Sequence, residues 1–358
     1  MSDFRIDIAQ PELDELKRRL LATRWPDAVT HDWSQGTPPD ALRHLVDYWA
    51  NDFDWREVEA RLNERRQVKI DGVHAVVAGT RGATPLLLIH GWPDSFLRFE
   101  RALPELADRF DVVVPSIPGF GFSDRPTTEW GTARIADQLA NLMTALGHER
   151  FGLHGADIGS QIADQLVLRH PERVSGLHLG DVPFRRMRAL DPNDLTPDEH
   201  AWAAKGAEWE VAEAGYTHLQ RTKPQTLAAS LNDSPAGLAA WILEKFQSWS
   251  DGDVFDTYTL EELATNLTIY WVTQTAGSSV RYYRDSRHTP LNDGYVSTPT
   301  AFAQFPADLL PAPRHSAERF YNVQRWATMP RGGHFGPWEQ PDLWAADVIA
   351  FFDELEAR

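Results

Sequence analysis

Cysteine is absent from the 358 residues. Disulfides, thiol catalysis and zinc–thiolate sites are thereby excluded. No uninterrupted apolar span is long enough to cross a bilayer, and the opening Met1-Ser2-Asp3-Phe4-Arg5-Ile6-Asp7 lacks the apolar core of a signal peptide. A cytoplasmic chain without membrane attachment is expected. Positive charge is in deficit, with 35 Lys and Arg against 52 Asp and Glu and a net charge of −17 at pH 7. No Lys/Arg-rich run offsets that field, which repels nucleic acid and anionic membranes. Internal repeats and low-complexity tracts are missing too. What is present is ordinary for a globular protein, 42% hydrophobic and 24% charged, and the length suits a large α/β domain with additions. Tryptophan alone runs high. Fourteen of them point to aromatic-lined pockets or interfaces.

The chain divides by its periodicities. Residues 1–66 read as a helical extension ahead of the first strand: Pro11 opens one helix, and two more are expected over residues 40–51 and 55–66. Alternating strands then flank Asp71-Gly72, a tight hairpin turn. Pro85-Leu86-Leu87-Leu88-Ile89 is a continuous apolar run typical of a buried parallel strand. From there strands and helices alternate, with a helix over residues 96–107, strands at residues 112–114 and 174–179, and a helix over residues 132–146. That pitch argues for a mostly parallel, doubly wound sheet. Between about Pro183 and Pro290 the alternation stops, and residues 186–289 read as a helical cap over the strand ends. Strands are expected again at residues 300–305 and 322–329, with a closing helix over residues 341–355. The α/β core is thus residues 67–185 and 290–358.

The densest chemical signal is Phe151-Gly152-Leu153-His154-Gly155-Ala156-Asp157-Ile158-Gly159-Ser160. An apolar run enters a turn with glycine two before and two after Asp157, and helical spacing follows. Such a turn lifts one side chain above the sheet edge, as in the nucleophile elbow of α/β-hydrolases. Aspartate at the apex attacks a saturated carbon and leaves an ester that water must cleave. In the hydrolase order the acid and then the histidine follow. His334, in Arg331-Gly332-Gly333-His334-Phe335, is the expected base. Asp308 is expected to orient it, ahead of its rival Asp181, mainly on chain order. Two backbone N–H groups should hold the oxyanion of the second step: Ile158, after the nucleophile, and Trp92, in His90-Gly91-Trp92-Pro93.

With these three segments in matching order, the chain resembles the microsomal-type epoxide hydrolases of the α/β-hydrolase superfamily. The likeness extends to Trp25-Pro26, Phe53-Asp54-Trp55-Arg56, Pro115 through Ser123, Thr222-Lys223-Pro224 and Leu231 through Pro235. It implies two cap tyrosines that protonate the opening epoxide oxygen, since an alkoxide is a poor leaving group without a proton. Tyr216 matches the first and Tyr283 the second, with Tyr282 one residue away. Ala156, Asp94 and Ile158 depart from the family pattern, which usually has glycine, glycine and often tryptophan there. The implied reaction opens an epoxide to a vicinal diol and calls for no metal or cofactor. The cap aromatics suggest a bulky, apolar or aromatic epoxide. A haloalkane dehalogenase would share the triad, yet Ile158 supplies no side-chain N–H for a halide. A non-catalytic binder would not need nucleophile, base, acid and both tyrosines. The N-terminal helices either wrap the core or contribute to a homodimer.

Overall fold

The computed structural model describes residues 2–358; Met1, the first residue of the stretch read above for a leader, lies outside them. Among the described residues one sheet carries nine strands: β1 (Ser2–Phe4), β2 (Arg66–Ile70), β3 (Val73–Gly79), β4 (Thr84–Ile89), β5 (Phe110–Pro115), β6 (Phe151–Gly155), β7 (Val174–Leu179), β8 (Val296–Gln304) and β9 (Tyr321–Thr328). Their order across the sheet is β1-β2-β3-β5-β4-β6-β7-β8-β9. The pairings from β1 to β5 by way of β3 are antiparallel, and those from β5 to β9 are parallel. Leu86 to Ile89 and Val112 to Val114 are buried, as strands covered on both faces must be. From β4 the chain goes to one side for β5 and to the other for β6. That reversal opens a crevice at the carboxyl ends of β4 and β6, the place where such sheets bind ligands.

The N-terminal segment differs from the expected purely helical extension. Its helices form at Gln10–Leu21, Pro39–Asn51 and Trp55–Leu62, but Ser2–Phe4 adds an edge strand, with Ser2 opposite Lys69 and Phe4 opposite Gln67. Three residues are too few to show a period. The third helix ends before Arg66 because the Asn63 side chain bonds both the N–H and the carbonyl of Ile6, at 2.9 and 2.8 Å. The helix expected over residues 96–107 is two pieces, a 3-10 turn at Phe96–Phe99 and a helix at Leu103–Arg109. Pro104 lacks the N–H that would join them. At the hairpin Asp71 and Gly72 both have positive φ, 47° and 79°, which the tight Asp-Gly turn requires.

Between β7 and β8 the described residues contain helices and no strand. These helices are fastened to the crevice. Asn266 donates to the Pro93 carbonyl at 3.0 Å and Tyr270 to that of Asp94 at 2.8 Å. The N-terminal helices pack on this layer in turn, with the Trp49 indole donating to Thr268 at 2.8 Å and Thr37 to the Ala240 carbonyl at 2.7 Å. No helix of the described residues is long and apolar enough to cross a membrane.

Candidate active site

Asp157 stands between the end of β6 at Gly155 and a helix starting at Ile158. Its φ is 58° and ψ −127°, a conformation that costs a non-glycine residue on the order of 1–3 kcal/mol and persists only where the surroundings over-determine it. Here they do. A Cβ at Gly155 would lie 2.3 Å from the Gly159 carbonyl oxygen, and one at Gly159 would lie 2.4 Å from that of Ile89. A Cβ at Gly91 would lie 2.7 Å from the Cβ of Asp157. Ala156 is accommodated because its methyl faces Gly180, where a Cβ would come within 2.9 Å. The turn is also tied from β7. Asp181 accepts from the Asp157 N–H at 2.7 Å and from Ser160 Oγ at 2.8 Å. Asp181 therefore fastens the elbow and makes no hydrogen bond to His334. Burial, then the charge of Asp308, pushes its pKa up to about 7.

His334 and Asp308 sit in the loops after β9 and β8. The two loops meet where the Ala307 N–H donates to the Gly332 carbonyl at 3.1 Å. His334 Nδ1 lies 2.7 Å from Asp308 Oδ1, and its Nε2 lies 3.5 Å from Asp157 Oδ2. The His334 N–H donates to the Trp249 carbonyl at 2.7 Å. Burial opposes an imidazolium here, but the carboxylates of Asp308 and Asp157 outweigh it and hold the pKa at about 10. Between Asp157, Asp181, Asp308 and His334 lies a void of about 40 Å³, room for a water molecule.

On the other side of the Asp157 carboxylate, the Trp92 N–H donates to Asp157 Oδ1 at 2.8 Å. Ile158 is the first residue of its helix, so its N–H has no intrahelical partner and lies at the positive end of the helix dipole. The charge that Asp94 brings to this loop is absorbed locally. Asp94 Oδ1 accepts from the Gly91 N–H at 2.9 Å, and its other oxygen is paired with Arg98, both side chains being wholly buried. Against burial, the Arg98 charge holds Asp94 below the usual carboxylate range. Arg98 also donates to the His334 carbonyl, so one guanidinium links the Trp92 loop to the histidine loop. Sequence reading missed Arg98. Its signal was the four-residue spacing from Asp94.

Tyr216, in the helix Gly215–Thr222, and Tyr283, in the helix Ala276–His288, face the same point. The Trp92 ring stacks on Tyr216 with centroids 5.3 Å apart and meets Tyr283 edge-on at 5.8 Å. The Tyr283 hydroxyl is buried without a hydrogen-bond partner among the described residues. Tyr282 turns away, its hydroxyl 3.0 Å from Thr132 Oγ1. Burial above all, with the Asp157 charge adding, holds both Tyr216 and Tyr283 well above the ordinary phenol pKa. They stay protonated donors. Of the seven residues expected at the site, the structure thus gathers Asp157, Asp308, His334, Trp92, Ile158, Tyr216 and Tyr283 around one crevice.

Comparison with known proteins gives the same direction. Residues 1–99 match the family described as "Epoxide hydrolase N terminus", and residues 84–341 match "alpha/beta hydrolase fold". A provisionally named epoxide hydrolase of Stigmatella aurantiaca is 39% identical over 100% of this chain and 86% of its own. Epoxide hydrolase 1 of Sus scrofa is 33% identical over 99% of this chain and 89% of its own. Among solved structures, juvenile hormone epoxide hydrolase from Bombyx mori superposes with a TM-score of 0.88 at 29% identity, covering 99% of this chain and 95% of that one. On these matches, the chain belongs to the epoxide hydrolases of the α/β-hydrolase fold.

Proposed function

We propose that this epoxide hydrolase works through a covalent ester on Asp157. The observation that carries the reading is the setting of that carboxylate, with one oxygen 2.8 Å from the Trp92 N–H and the other 3.5 Å from His334 Nε2. Trp92 then plays its part twice, first on the carboxylate and later on the oxyanion. In the first step an Asp157 oxygen bonds to an epoxide carbon and the ring C–O bond breaks. Tyr216 and Tyr283 supply the proton that the leaving oxygen takes. Esterification removes the Asp157 charge beside His334, one of the interactions holding its pKa at about 10. The imidazolium then gives up its proton to solvent, the tyrosinate regains one, and His334 becomes a base.

In the second step His334, oriented by Asp308, takes a proton from water as that water attacks the ester carbonyl. The N–H groups of Trp92 and Ile158 stabilise the oxyanion. Collapse releases the alkoxide of the vicinal diol, which takes the proton of the new carboxyl group. Asp157 and protonated His334 are restored, and epoxide plus water has become diol. No metal or cofactor enters this scheme.

The division into residues 1–66, a core of 67–185 with 290–358, and a cap of 186–289 belongs to the same reading, since both tyrosines come from the cap. The rings of Trp92, Tyr216 and Trp249 support an apolar or aromatic group next to the reacting ring, and the expected setting is cytoplasmic. A homodimer through the N-terminal helices is the oligomer to seek by sedimentation. The ester itself is testable. In His334→Gln the first step should proceed and the second stall, so acid-quenched protein should carry one substrate mass on the peptide containing Asp157. Turnover without any adduct would overturn the scheme.

A further inference from the structure

A cavity of about 660 Å³ opens beside the tyrosines, with Ile158, Gln161 and Tyr283 at its catalytic end. The remainder is unlike an apolar slot. Four arginines line it, Arg185, Arg188, Arg221 and Arg287, against two carboxylates, Glu210 and Asp293. In a chain of net charge −17 this is a local inversion of sign, and field lines in such a cleft are focused by its low-dielectric walls. Part of the charge is spent inside the fold. Arg185 bonds Asp164 at 2.8 Å and pairs with Asp293, while Arg188 comes within 3.4 Å of Glu210 at the surface.

Arg221 is different. It is half-buried, and neither a hydrogen bond nor an ion pair joins it to any of the described residues. Burial, then the neighbouring Arg188, with Arg287 adding, lowers its pKa. A partly desolvated guanidinium without a counter-ion is costly. A planar anion would relieve that cost, because the guanidinium fork matches a carboxylate with two parallel hydrogen bonds. The placement relative to the chemistry also fits. Arg221 lies in the last turn of the helix that carries Tyr216. Arg287 is four residues beyond Tyr283 on its helix, hence on the same face. The two helices that present the proton donors therefore also present the cations.

We propose that the epoxide taken by this enzyme bears a carboxylate at the end remote from the ring, and that Arg221, assisted by Arg188 and Arg287, binds it and sets specificity. The inference rests on the site reading above and adds the substrate class to it. The ring end is held among aromatic side chains, and the anionic end lies toward the arginines.

The test uses the full chain and a series of terminal ω-epoxyalkanoates of increasing length, each compared with its methyl ester, together with styrene oxide. At the best chain length the acid should exceed its ester in kcat/KM by about tenfold or more, the scale of a charge-assisted hydrogen bond. The gain should lie in KM and should shrink as salt is raised. In Arg221→Gln the acid-to-ester ratio should fall toward one. Should that variant not fold, Arg287→Gln, on the other helix, should lower the ratio by a smaller factor. Acids no better than their esters at any length overturn the inference, as does a preference that survives in Arg221→Gln. Styrene oxide separates the two levels. Its hydrolysis leaves the site reading standing whatever the acids do, whereas failure to hydrolyse any epoxide strikes that reading instead.

Discussion

The elbow around Asp157 and the arginine-lined cavity a few side chains away are built by opposite means. At the elbow the backbone leaves no freedom: a Cβ at Gly159 would sit 2.4 Å from a carbonyl oxygen, and a non-glycine residue is held at φ 58°. In the helix that carries Tyr216, a Cβ added at Gly215 would meet nothing within 4 Å, and Arg188 and Arg287 extend from exposed positions. On the proposed scheme the reacting carboxylate is thus fixed by steric necessity, while the group proposed to distinguish one epoxide from another is held by side chains that can be exchanged. On that proposal chemistry and selectivity are separable, and substitutions should separate them.

The largest effect should come from the elbow itself. Asp157→Ala should lower kcat by about 10⁴-fold or more, the scale of removing a covalent nucleophile, with the fold intact by circular dichroism. Activity within tenfold of the parent would break the comparison at its rigid side. Removing one proton donor should cost less, because a second remains. Tyr283→Phe should slow single-turnover ester formation by about 10²-fold without slowing hydrolysis of the ester once formed.

Stability sharpens the contrast further. Gly159→Ala should destabilise by about 1–3 kcal/mol or more through overpacking, whereas Gly215→Ala should be neutral or stabilise by about 0.4–1 kcal/mol, both read by denaturant unfolding. Equal effects would mean the two regions are not packed as described. The smallest expected effect concerns Asp181. Its folded pKa of about 7 exceeds the ordinary 3.8, so between those values the folded state holds a proton the unfolded state has released. Its contribution is fully present below about pH 4 and is lost as pH rises through 7. Unfolding measured across that range should show a shallower loss in Asp181→Asn than in the parent. His334 adds a second decline between pH 6.5 and about 10 by the same logic. An unchanged slope in Asp181→Asn would remove Asp181 from the titration.

Legibility in the sequence followed the same divide. Strands and elbow could be read because their causes are local: continuous apolar runs for buried parallel strands, glycines where a Cβ cannot fit, and loop positions at strand ends. The order of Asp157, Asp308 and His334 along the chain anticipated their contact, and the hydrogen bond from His334 Nδ1 goes to Asp308 rather than Asp181. Asp181 proved to be a fastening for the elbow, a role with no pattern of its own. Tyr216 and Tyr283 were reached only through the family likeness, because an isolated tyrosine on a helix reads equally well as packing. Arg98 and Arg221 were missed for a related reason. Arg98 acts through the His334 carbonyl, 236 residues away, with only its spacing from Asp94 as a local trace, and Arg221 acts through the lack of a partner, which leaves no period or motif in the chain. The edge strand Ser2–Phe4 escaped because its reason for existing is β2, more than sixty positions on.

The proposed bond between Asp157 and a substrate carbon is tested most directly by oxygen isotopes. In a single turnover with enzyme in excess and water enriched in ¹⁸O, attack by water on the ester carbonyl should leave the label in the Asp157 carboxylate, 2 Da heavier in its peptide, and the diol unlabelled. Label appearing in the diol on that first turnover, with the Asp157 peptide unchanged, would mean that water attacks the epoxide directly and would contradict the account.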